Sequence, residues 1–402
     1  MVNRSTVRRF FVNFASNIHE KRIQENIMQN ENKRIKVLEV IRQGQIGGGE
    51  AHLLDLVEYL DKTIYEPICL AFTDGEMITR MKAKNVECHI IETQKPFDRK
   101  AQKAIKQLMT DLDIQLVHAH GSRAASNVVF PARELGLPLI YTVHGWSFHN
   151  DQPWIIRQIR AWSEKMICNR AKHVICVSES NAETGRETFG MKECTVIENG
   201  INLRRFNPEG EFADSRQEFG FNKEDFVVGF IARNTKQKAP LDFLKALHIA
   251  HAKKPQIKGL FVGEGDLDGD TTHFIVTHHM DSYLYRSKFR LDVPDLFNTI
   301  DAYCLPSLWE GLSIALLEAM AMEKPVIATP TDGTKELITD DGNGIIVPFS
   351  QPESIANAMV RLQGSKNLCK RLGSEARQLV VRRFNATRVA REVEAIYRKA
   401  LH

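Results

Sequence analysis

The feature that most constrains the fold is an alternation of short apolar runs with longer helical stretches, which begins at residue 35. The runs are β-branched and apolar on both faces, which is typical of parallel strands covered by helices on both sides. The order β-α-β-α predicts an α/β fold with right-handed crossovers. The first predicted strands are IKVLEVI (35–41), PICLAF (67–72), CHII (88–91), IQLVHA (114–119), PLIYTVH (138–144), HVICV (173–177) and CTVIE (194–198), with helices at 49–61, 98–111, 123–135 and 154–170.

A second series of strands begins at residue 226, so the chain is predicted to contain two doubly wound, Rossmann-like domains. The length agrees, because 402 residues exceed what one hydrophobic core usually serves. Residues 199–215 are rich in Asn, Gly and Pro and form the expected linker, with a cleft between the domains. The second series comprises FVVGFIA (226–232), IKGLFV (257–262), HFIVT (273–277), DAYCLP (301–306), KPVIAT (324–329) and GIIVP (344–348).

Residues 1–34 differ from the rest, because basic residues surround a short aromatic patch without the continuous apolar core of a secretory signal. An amphipathic surface helix that contacts a membrane fits this pattern. A loosely docked extension fits it equally well, and a mitochondrial targeting segment is a third interpretation. No apolar run approaches the roughly 18 residues of a membrane span, so the chain is not expected to be an integral membrane protein.

Charge and cysteine usage narrow the functional classes. The formal net charge of +4 is too small to indicate nucleic-acid binding, although a modest basic excess suits acidic ligands or anionic lipid. The 7 cysteines are scattered, without a Cys-x-x-Cys pair, and are expected to be reduced core residues and not metal ligands. We therefore expect a cytoplasmic protein, with peripheral contact at the inner face of the membrane as a further expectation.

Ligands of doubly wound sheets bind outside the carboxyl ends of the strands. Six polar or glycine-rich loops follow predicted strands, and each is a candidate for the binding site. They are RQGQIGGGE, HAHGSR, HGWSFH, RNTKQK, GEGD and SLWEGLS.

Two glutamates in WEGLSIALLEAMA carry the most specific chemical signal. On a helix, Glu318 has only apolar neighbours three and four positions away, so its carboxylate needs strong donors such as sugar hydroxyls. A hydrogen bond to the backbone of a neighbouring loop is the alternative. Glu310 precedes Gly311 and Ser313, where the amides of a helix start would form a site suited to a diphosphate.

These motifs resemble the donor domain of the retaining GT-B glycosyltransferases of family 4, and the resemblance extends over residues 35–402. It implies that Arg233 and Lys238 neutralise the donor diphosphate in place of a metal ion. It also implies that Glu318 binds the ribose and that Glu310 contacts the transferred sugar. Further donor contacts implied by the resemblance are the backbone amides of Gly311, Leu312 and Ser313, and Gly263 and Glu264 near the nucleotide base.

The N-terminal half carries the remaining implied contacts. GGGEAHLLDL resembles the glycine-rich first loop of the family, which approaches phosphate and acceptor and here contains Gly48 and Gly49. A tight turn before a helix is the alternative for such a loop. His144 matches the histidine near the reacting carbon, although a histidine at a strand end is more often structural. His120 and Arg123 are expected to face the acceptor.

Three features depart from the family or compete with it. Ala239 replaces the glycine that commonly follows the diphosphate lysine, and YRSKFRLDVP lacks the usual glycine. THHMD at 277–281 contains adjacent histidines, but these would point to opposite sides of a strand without a third ligand. We therefore expect no metal site and no cofactor.

The resemblance implies a GT-B fold with a specific division of the chain. Residues 35–205 would form an acceptor-side domain completed by the helix at 385–402, and residues 206–384 the nucleotide-sugar donor domain. The expected activity is metal-independent, retaining transfer of a hexosyl unit from a nucleoside diphosphate sugar to a glycan or lipid-linked acceptor, as in bacterial surface-polysaccharide synthesis. Sugar-nucleotide epimerisation or hydrolysis, and non-catalytic nucleotide-sugar binding, are the alternatives. A dinucleotide oxidoreductase is disfavoured because the first loop lacks G-x-G-x-x-G.

Overall fold

The structure is a computed structural model that describes residues 34–45, 47–148, 152–213 and 215–402. Apart from Arg34, the predicted N-terminal extension at residues 1–34 lies outside the described residues. Among the described helices, none combines the length and the hydropathy that a membrane-spanning helix requires.

The first domain contains a parallel sheet of seven strands in the order β3-β2-β1-β4-β5-β6-β7. The order reverses between β1 and β4, which is the switch point where doubly wound sheets bind ligands. The strands are β1 Ile35–Ile41, β2 Tyr65–Ala71, β3 Glu87–Ile90, β4 Leu116–His120, β5 Leu139–Val143, β6 His173–Cys176 and β7 Thr195–Val196. The helices are α1 Gly48–Tyr59, α2 Glu76–Ala83, α3 Arg99–Asp111, α4 Ser122–Glu134, α5 Trp154–Cys168 and α6 Glu179–Phe189.

The second domain repeats the architecture with six parallel strands in the order β10-β9-β8-β11-β12-β13. Its strands are β8 Phe226–Ile231, β9 Ile257–Val262, β10 Leu284–Ser287, β11 Ala302–Leu305, β12 Val326–Ala328 and β13 Ile345–Ile346. Its helices are α7 Ser215–Glu218, α8 Pro240–Lys253, α9 Asp268–Thr277, α10 Val293–Thr299, α11 Ile314–Ala321, α12 Asp332–Leu337, α13 Pro352–Gln363 and α14 Lys366–Arg383. A final helix, α15 Ala386–Leu401, follows, and two single 3₁₀ turns lie at Lys236–Lys238 and Met280–Ser282.

The predicted fold class is confirmed: two doubly wound α/β domains face each other across a cleft. One predicted strand is wrong. HFIVT at 273–277 forms the end of helix α9, and the strand that pairs with β9 is Leu284–Ser287 instead. A short run of apolar residues does not by itself distinguish a strand from a buried helical turn. In the first domain, helices α2 and α6 were not predicted from the sequence.

Helix α15 returns to the first domain and packs in its core. Val389, Val393 and Tyr397 of α15 share one cluster of buried residues with Val37 of β1 and Leu116 of β4. The hydroxyl of Tyr397 is fully buried and donates a hydrogen bond of 2.7 Å to Glu39 Oε1 in β1. The helix therefore supports the strands that form the floor of the cleft.

The two domains are in contact across the cleft. The side-chain amide of Asn199 donates to the carbonyl of Leu312 at 2.9 Å, and the amide of Ser180 donates to Glu336 at 2.8 Å. Helices α1 and α11 also pack against each other. The described conformation is therefore a closed one, in which the carboxyl edges of both sheets lie close together.

Candidate active site

Glycine-containing segments of both domains meet between the domains. A Cβ atom added at Gly48 would lie 3.7 Å from Cγ1 of Ile314, which begins helix α11 in the second domain. One added at Gly49 would lie 3.6 Å from Cδ2 of His144, and one added at Gly311 would lie 3.1 Å from the carbonyl oxygen of His144. The structure thus brings together Gly48, Gly49, His144 and Gly311 at one place in the cleft.

A chain of buried polar groups leads from His144 into the first sheet. The Nε2 atom of His144 lies 3.2 Å from Nδ1 of His120, and Nε2 of His120 lies 2.9 Å from Oε2 of Glu39. Glu39 is fully buried in the centre of β1, and His120 is the last residue of β4. Strand pairing between β1 and β4 therefore holds the carboxylate directly behind the histidines.

Burial determines the protonation of this chain. Burial opposes the ionisation of Glu39, but attraction to His118 and hydrogen bonds from His118 and His120 outweigh it and hold its pKa well below the usual range. Burial lowers the pKa of His120 to about 4, and repulsion from His118 adds to this effect. Burial also lowers the pKa of His144 well below its ordinary value. Near neutral pH, an ionised Glu39 therefore faces neutral His120 and His144.

The hydrogen bonds assign a tautomer to each ring. Because Glu39 only accepts, Nε2 of His120 carries the proton and Nδ1 of His120 accepts one from Nε2 of His144. This arrangement leaves Nδ1 of His144 as an acceptor. The same logic applies to His118, which donates from Nδ1 to the Tyr397 hydroxyl at 2.7 Å. Glu39 thus orients His144 so that it can accept a hydrogen bond from a ligand hydroxyl.

Two groups of side chains in the described residues have the composition of a metal site. In each group the three potential ligand atoms lie within 4.8 Å of one another: His52, His120 and His144 in one, Glu39, His118 and His120 in the other. Both ring nitrogens of His120 already take part in hydrogen bonds, which a metal ion would have to displace.

The expected strand geometry at THHMD is wrong. His278 follows the last residue of helix α9, and its ring stacks on Phe274 with 3.9 Å between the ring centres. His279 has the left-handed backbone φ of 51°.

On the opposite wall, Lys238 and Glu310 form an ion pair. Lys238 Nζ contacts Glu310 Oε1, and the side chains are only 13% and 9% exposed. The hydroxyl of Ser307 donates a second hydrogen bond to the same oxygen at 2.8 Å. The following Ala239 has a φ of 48°, in the left-handed region that favours glycine, in agreement with the glycine that the resemblance implies at this position. The pair places a cation and a carboxylate at the entrance of helix α11.

Arg233 extends from the second domain toward the first. It is exposed and follows β8 by two residues. Its charge acts on Glu50 of helix α1: burial raises the pKa of Glu50, and attraction to Arg233 partly opposes this rise. Within the described part of the chain, the side chain of Arg233 makes no hydrogen bond or ion pair, so its guanidinium is available to an anionic ligand.

Helix α11 begins after the short segment Gly311, Leu312 and Ser313. The first amides of a helix have no partner within it, and the helix dipole makes this end favourable for anions. Ser313 occupies the N-cap position, but its side chain forms no capping hydrogen bond. A Cβ atom added at Gly333 would lie 1.8 Å from the carbonyl oxygen of Gly311, so helix α12 is packed directly against this segment.

Glu318 faces the first domain from the second turn of helix α11. Burial raises its pKa to about 8; attraction to Arg205 opposes the rise, and repulsion from Asp55 of helix α1 adds to it. Asp55 is affected in the same way, with burial raising its pKa to about 7. The carboxylate is therefore held in a poorly solvated place in the cleft, as expected for a group that receives ligand hydroxyls.

Gly263 and Glu264 follow strand β9 on the same edge of the second sheet. Gly263 has a φ of 148°, and a Cβ atom there would lie 1.9 Å from the carbonyl oxygen of Ala232, so only glycine fits. The Glu264 side chain is exposed. The backbone carbonyl of Glu264 accepts a hydrogen bond of 3.0 Å from Asn234, which ties this loop to the loop of Arg233.

Arg123 lies in the first turn of helix α4, which follows the carboxyl end of β4. Burial lowers its pKa, and repulsion from Arg42 and Arg160 adds to this effect. The three arginines form a basic cluster beside the carboxyl edge of the first sheet.

Sequence reasoning omitted several residues that the structure brings into this site. Glu39 and Asp55 were identifiable in part, because each is an acidic residue within an apolar stretch. His52 follows the predicted Gly48 by four positions on helix α1, so the two residues lie on the same face of that helix. His118 and His120 alternate with Ala119 and therefore lie on one face of β4. Tyr397 lies 358 residues from Glu39, and no local pattern could have indicated that contact.

Comparisons with known proteins agree with the two-domain fold. Residues 46–205 match the family model described as Glycosyltransferase Family 4, and residues 211–379 match the model described as Glycosyl transferases group 1. The chain is 26% identical to the UDP-Gal:alpha-D-GlcNAc-diphosphoundecaprenol alpha-1,3-galactosyltransferase of Escherichia coli, over 75% of this chain and 79% of that protein. It is 25% identical to the phosphatidyl-myo-inositol mannosyltransferase of Mycolicibacterium smegmatis, over 87% of this chain and 90% of that protein.

Solved structures agree on the fold. The crystal structure of Anabaena Alr3699/HepE in complex with UDP-glucose superposes with a TM-score of 0.81 at 23% identity and covers 91% of this chain and 100% of that chain. The two family models adjoin in sequence and divide at the linker between the two sheets. The chain therefore belongs to the GT-B glycosyltransferases of family 4 and is a glycosyltransferase.

Proposed function

We propose that this enzyme transfers a hexosyl unit from a nucleoside diphosphate sugar to a hydroxyl of a lipid-linked glycan, with retention of configuration and without a bound metal ion. The main observation behind the proposal is that two groups of residues, one from each domain, lie on opposite sides of the closed cleft. One wall offers Arg233, Lys238 and the start of helix α11 to a diphosphate, and the other offers His144.

The donor diphosphate would bind to the second domain. Arg233 is available for two of its oxygens, and the amides of Gly311 to Ser313 supply further donors. Lys238 would hold Glu310 in place and share its charge with the leaving phosphate. Glu318 would receive the ribose hydroxyls, and the loop of Gly263 and Glu264 would lie beside the base. Arg233 and Lys238 would thus neutralise the charge of the leaving phosphate, which a metal ion does in other transferases.

The transferred sugar would lie against His144. Its Nδ1 atom is an acceptor in the tautomer set by Glu39 and His120, so a sugar hydroxyl can donate to it. Gly48 and Gly49 leave room there for the sugar or the acceptor. Closure of the two domains would exclude water and so limit hydrolysis of the donor.

Retention is proposed through displacement on the front face of the sugar. The bond between the anomeric carbon and the phosphate oxygen breaks, and the acceptor oxygen bonds to the same face. The departing phosphate oxygen takes the proton of the acceptor hydroxyl. Two carboxylates of the site are committed to other partners, Glu310 to Lys238 and Glu39 to His120, which argues against either as a covalent nucleophile.

The relatives support the choice of donor and acceptor. The Escherichia coli relative is named for transfer from UDP-Gal to a diphosphoundecaprenol-linked sugar, and it forms an α linkage. The Anabaena structure contains UDP-glucose. The basic cluster of Arg42, Arg123 and Arg160 suits the diphosphate of a lipid-linked acceptor. We therefore propose a role in cell-surface polysaccharide synthesis, in the cytoplasm and at the membrane surface.

The proposal is tested with the purified full chain, a panel of UDP, GDP and ADP sugars, and an acceptor sugar linked to a short polyprenyl diphosphate. We expect one donor to give an acceptor-dependent product whose anomeric configuration, measured by NMR, equals that of the donor. An inverted product would refute retention. Consumption of the donor at an unchanged rate without acceptor would indicate hydrolysis or epimerisation instead, and the nucleotide product analysis separates these two.

A further inference from the structure

Helix α5 presents an apolar face to the outside of the first domain. Its large apolar side chains Trp154, Ile155, Ile156, Ile159 and Trp162 are between 43% and 71% exposed. We call these five residues the α5 outer face. Ile155, Ile159 and Trp162 follow the helical spacing of four and three residues, so they lie in one stripe. An apolar patch of this size on a protein surface usually marks an interaction site.

The fold does not need the α5 outer face, because the opposite side of the helix anchors it. Ala161, Glu164 and Ile167 are buried against the domain. The Glu164 carboxylate accepts hydrogen bonds from the Tyr141 hydroxyl at 2.9 Å and from the Ser147 amide at 3.2 Å. The helix is thus firmly positioned while the α5 outer face remains without a partner in the described residues.

The charges on helix α5 are complementary to an anionic surface. Its basic residues are Arg157, Arg160 and Lys165, and its only acidic residue is Glu164, which is fully buried. The helix therefore exposes positive charge and no carboxylate. Tryptophan beside isoleucine, flanked by arginine and lysine, is typical of helices that lie in the interface of a membrane.

A groove continues this surface at the end of the helix. Its volume is about 320 Å³, and it is lined by Phe130, Trp162, Lys165, Met166, Asn169 and Arg170. The guanidinium of Arg170 lies 5.8 Å from the centre of the Phe130 ring. Apolar walls with two cations at the rim match a phosphate headgroup and the first methylene groups of its acyl chain.

We propose that the α5 outer face docks the enzyme on an anionic lipid bilayer. The absence of an exposed carboxylate on helix α5 favours a lipid surface over a protein partner, whose contact area would carry both signs of charge. The proposal deepens the proposed function and rests on it for the lipid-linked acceptor. It assigns the membrane contact to described residues of the first domain, independently of residues 1–33.

The location of helix α5 connects docking with catalysis. In a doubly wound domain the helices run antiparallel to the strands, so the Trp154 end of α5 lies at the carboxyl edge that carries His144. The guanidinium of Arg160 donates to the carbonyl of Ser147 at 2.8 Å. Ser147 belongs to the loop after His144. A bilayer in contact with the α5 outer face would thus present a lipid-linked acceptor beside the cleft.

Sedimentation with lipid vesicles tests the proposal. The full chain is mixed with vesicles of phosphatidylcholine, with and without phosphatidylglycerol, at low and high salt. We expect binding to the phosphatidylglycerol vesicles that weakens with salt. The triple variant Trp154→Gln, Ile159→Gln and Trp162→Gln should bind about tenfold more weakly, while Val276→Gln with Phe349→Gln, which changes exposed apolar residues of the other domain, should bind like the unchanged protein.

Two further measurements distinguish docking on lipid from misfolding and from dimer formation. Transfer to a water-soluble acceptor should be retained in the triple variant, which shows that the variant is folded. Unchanged vesicle binding by the triple variant would overturn the proposal, as would loss of binding only when residues 1–33 are deleted. A dimer in the ultracentrifuge that the triple variant abolishes, without vesicle binding by either protein, would also overturn it by identifying a second copy as the partner. Failure of transfer by the unchanged protein would contradict the proposed function alone, since vesicle binding is measured without donor.

Discussion

Replacement of Lys238 separates a structural role of this residue from a catalytic one. Lys238 contacts the Glu310 carboxylate in a pair whose side chains are only 13% and 9% exposed. Lys238→Met would leave that carboxylate in a poorly solvated place without its counter-charge. The expected result is a loss of both stability and turnover, and the two losses have different physical origins.

The size of the stability loss follows from the remaining partners of Glu310. Breaking a buried ion pair by removing one partner costs about 3–5 kcal/mol. The hydroxyl of Ser307 and the amide of Gln237 still donate to the Glu310 carboxylate, so we expect the lower end of this range. In a domain of this size, about 3 kcal/mol corresponds to a decrease in melting temperature of about 6–12 °C.

The double variant Lys238→Met with Glu310→Gln distinguishes the two roles. Replacement of both partners removes the unpaired charge, so most of the melting temperature should return in differential scanning calorimetry. Turnover should remain about 100-fold to 1,000-fold below that of the unchanged enzyme, because no cation of this pair meets the leaving phosphate. Restoration of turnover together with stability would refute the catalytic role of Lys238. An unchanged melting temperature in Lys238→Met alone would show that the pair does not form in solution.

Four other outcomes are expected. In the proposed function Glu318 binds the ribose as a carboxylate, and burial raises its pKa to about 8. Calorimetric affinity for UDP should therefore increase as the pH rises toward about 8. The unliganded protein should lose stability over the same interval, because the folded carboxyl holds its proton more tightly than the unfolded one. Glu318→Gln should abolish the pH dependence of affinity. Glu39→Gln should lower kcat about tenfold and leave UDP affinity unchanged, because it disturbs the orientation of His144 but touches no nucleotide. EDTA should not change the transfer rate. A loss of transfer that a divalent ion restores would instead indicate a metal site at His52, His120 and His144. Gly333→Ala should weaken UDP binding, since its Cβ would lie 1.8 Å from the Gly311 carbonyl, whereas Gly269→Ala, with open space around it, should not.

The architecture could be predicted from the sequence because parallel strands that are covered on both faces are apolar throughout. Observed strands β1, β6, β8 and β9 begin at the predicted residues, and the other correct predictions deviate by no more than two residues at each end. The prediction of a strand at HFIVT failed because the true strand is not covered on both sides. Strand β10 is an edge strand that pairs only with β9, so its sequence LYRS is half polar and gives a weaker signal than the apolar end of helix α9.

The candidate site could be predicted only where function leaves a local pattern. Glu310 and Glu318 were recognisable because each is a carboxylate in an apolar stretch, the first in the loop before a helix and the second within that helix. The pairing of Lys238 with Glu310 joins residues 72 positions apart, and the support of His144 by Glu39 depends on the pairing of β1 with β4. Such contacts are consequences of tertiary structure, and composition or periodicity carries no information about them.

The position of Tyr397 has a consequence for biosynthesis of the enzyme. This residue of helix α15 bonds to Glu39 and His118 beneath the cleft, and its neighbours on the helix cover part of the first sheet. A nascent chain on the ribosome can form most of the first domain long before helix α15 has been translated. Until that helix docks, the buried carboxylate and histidines lack one partner and the sheet keeps an apolar surface exposed. Completion of the floor of the cleft is thereby deferred until both domains have been made, and a chain that terminates before α15 should be unstable and a substrate for quality-control proteases.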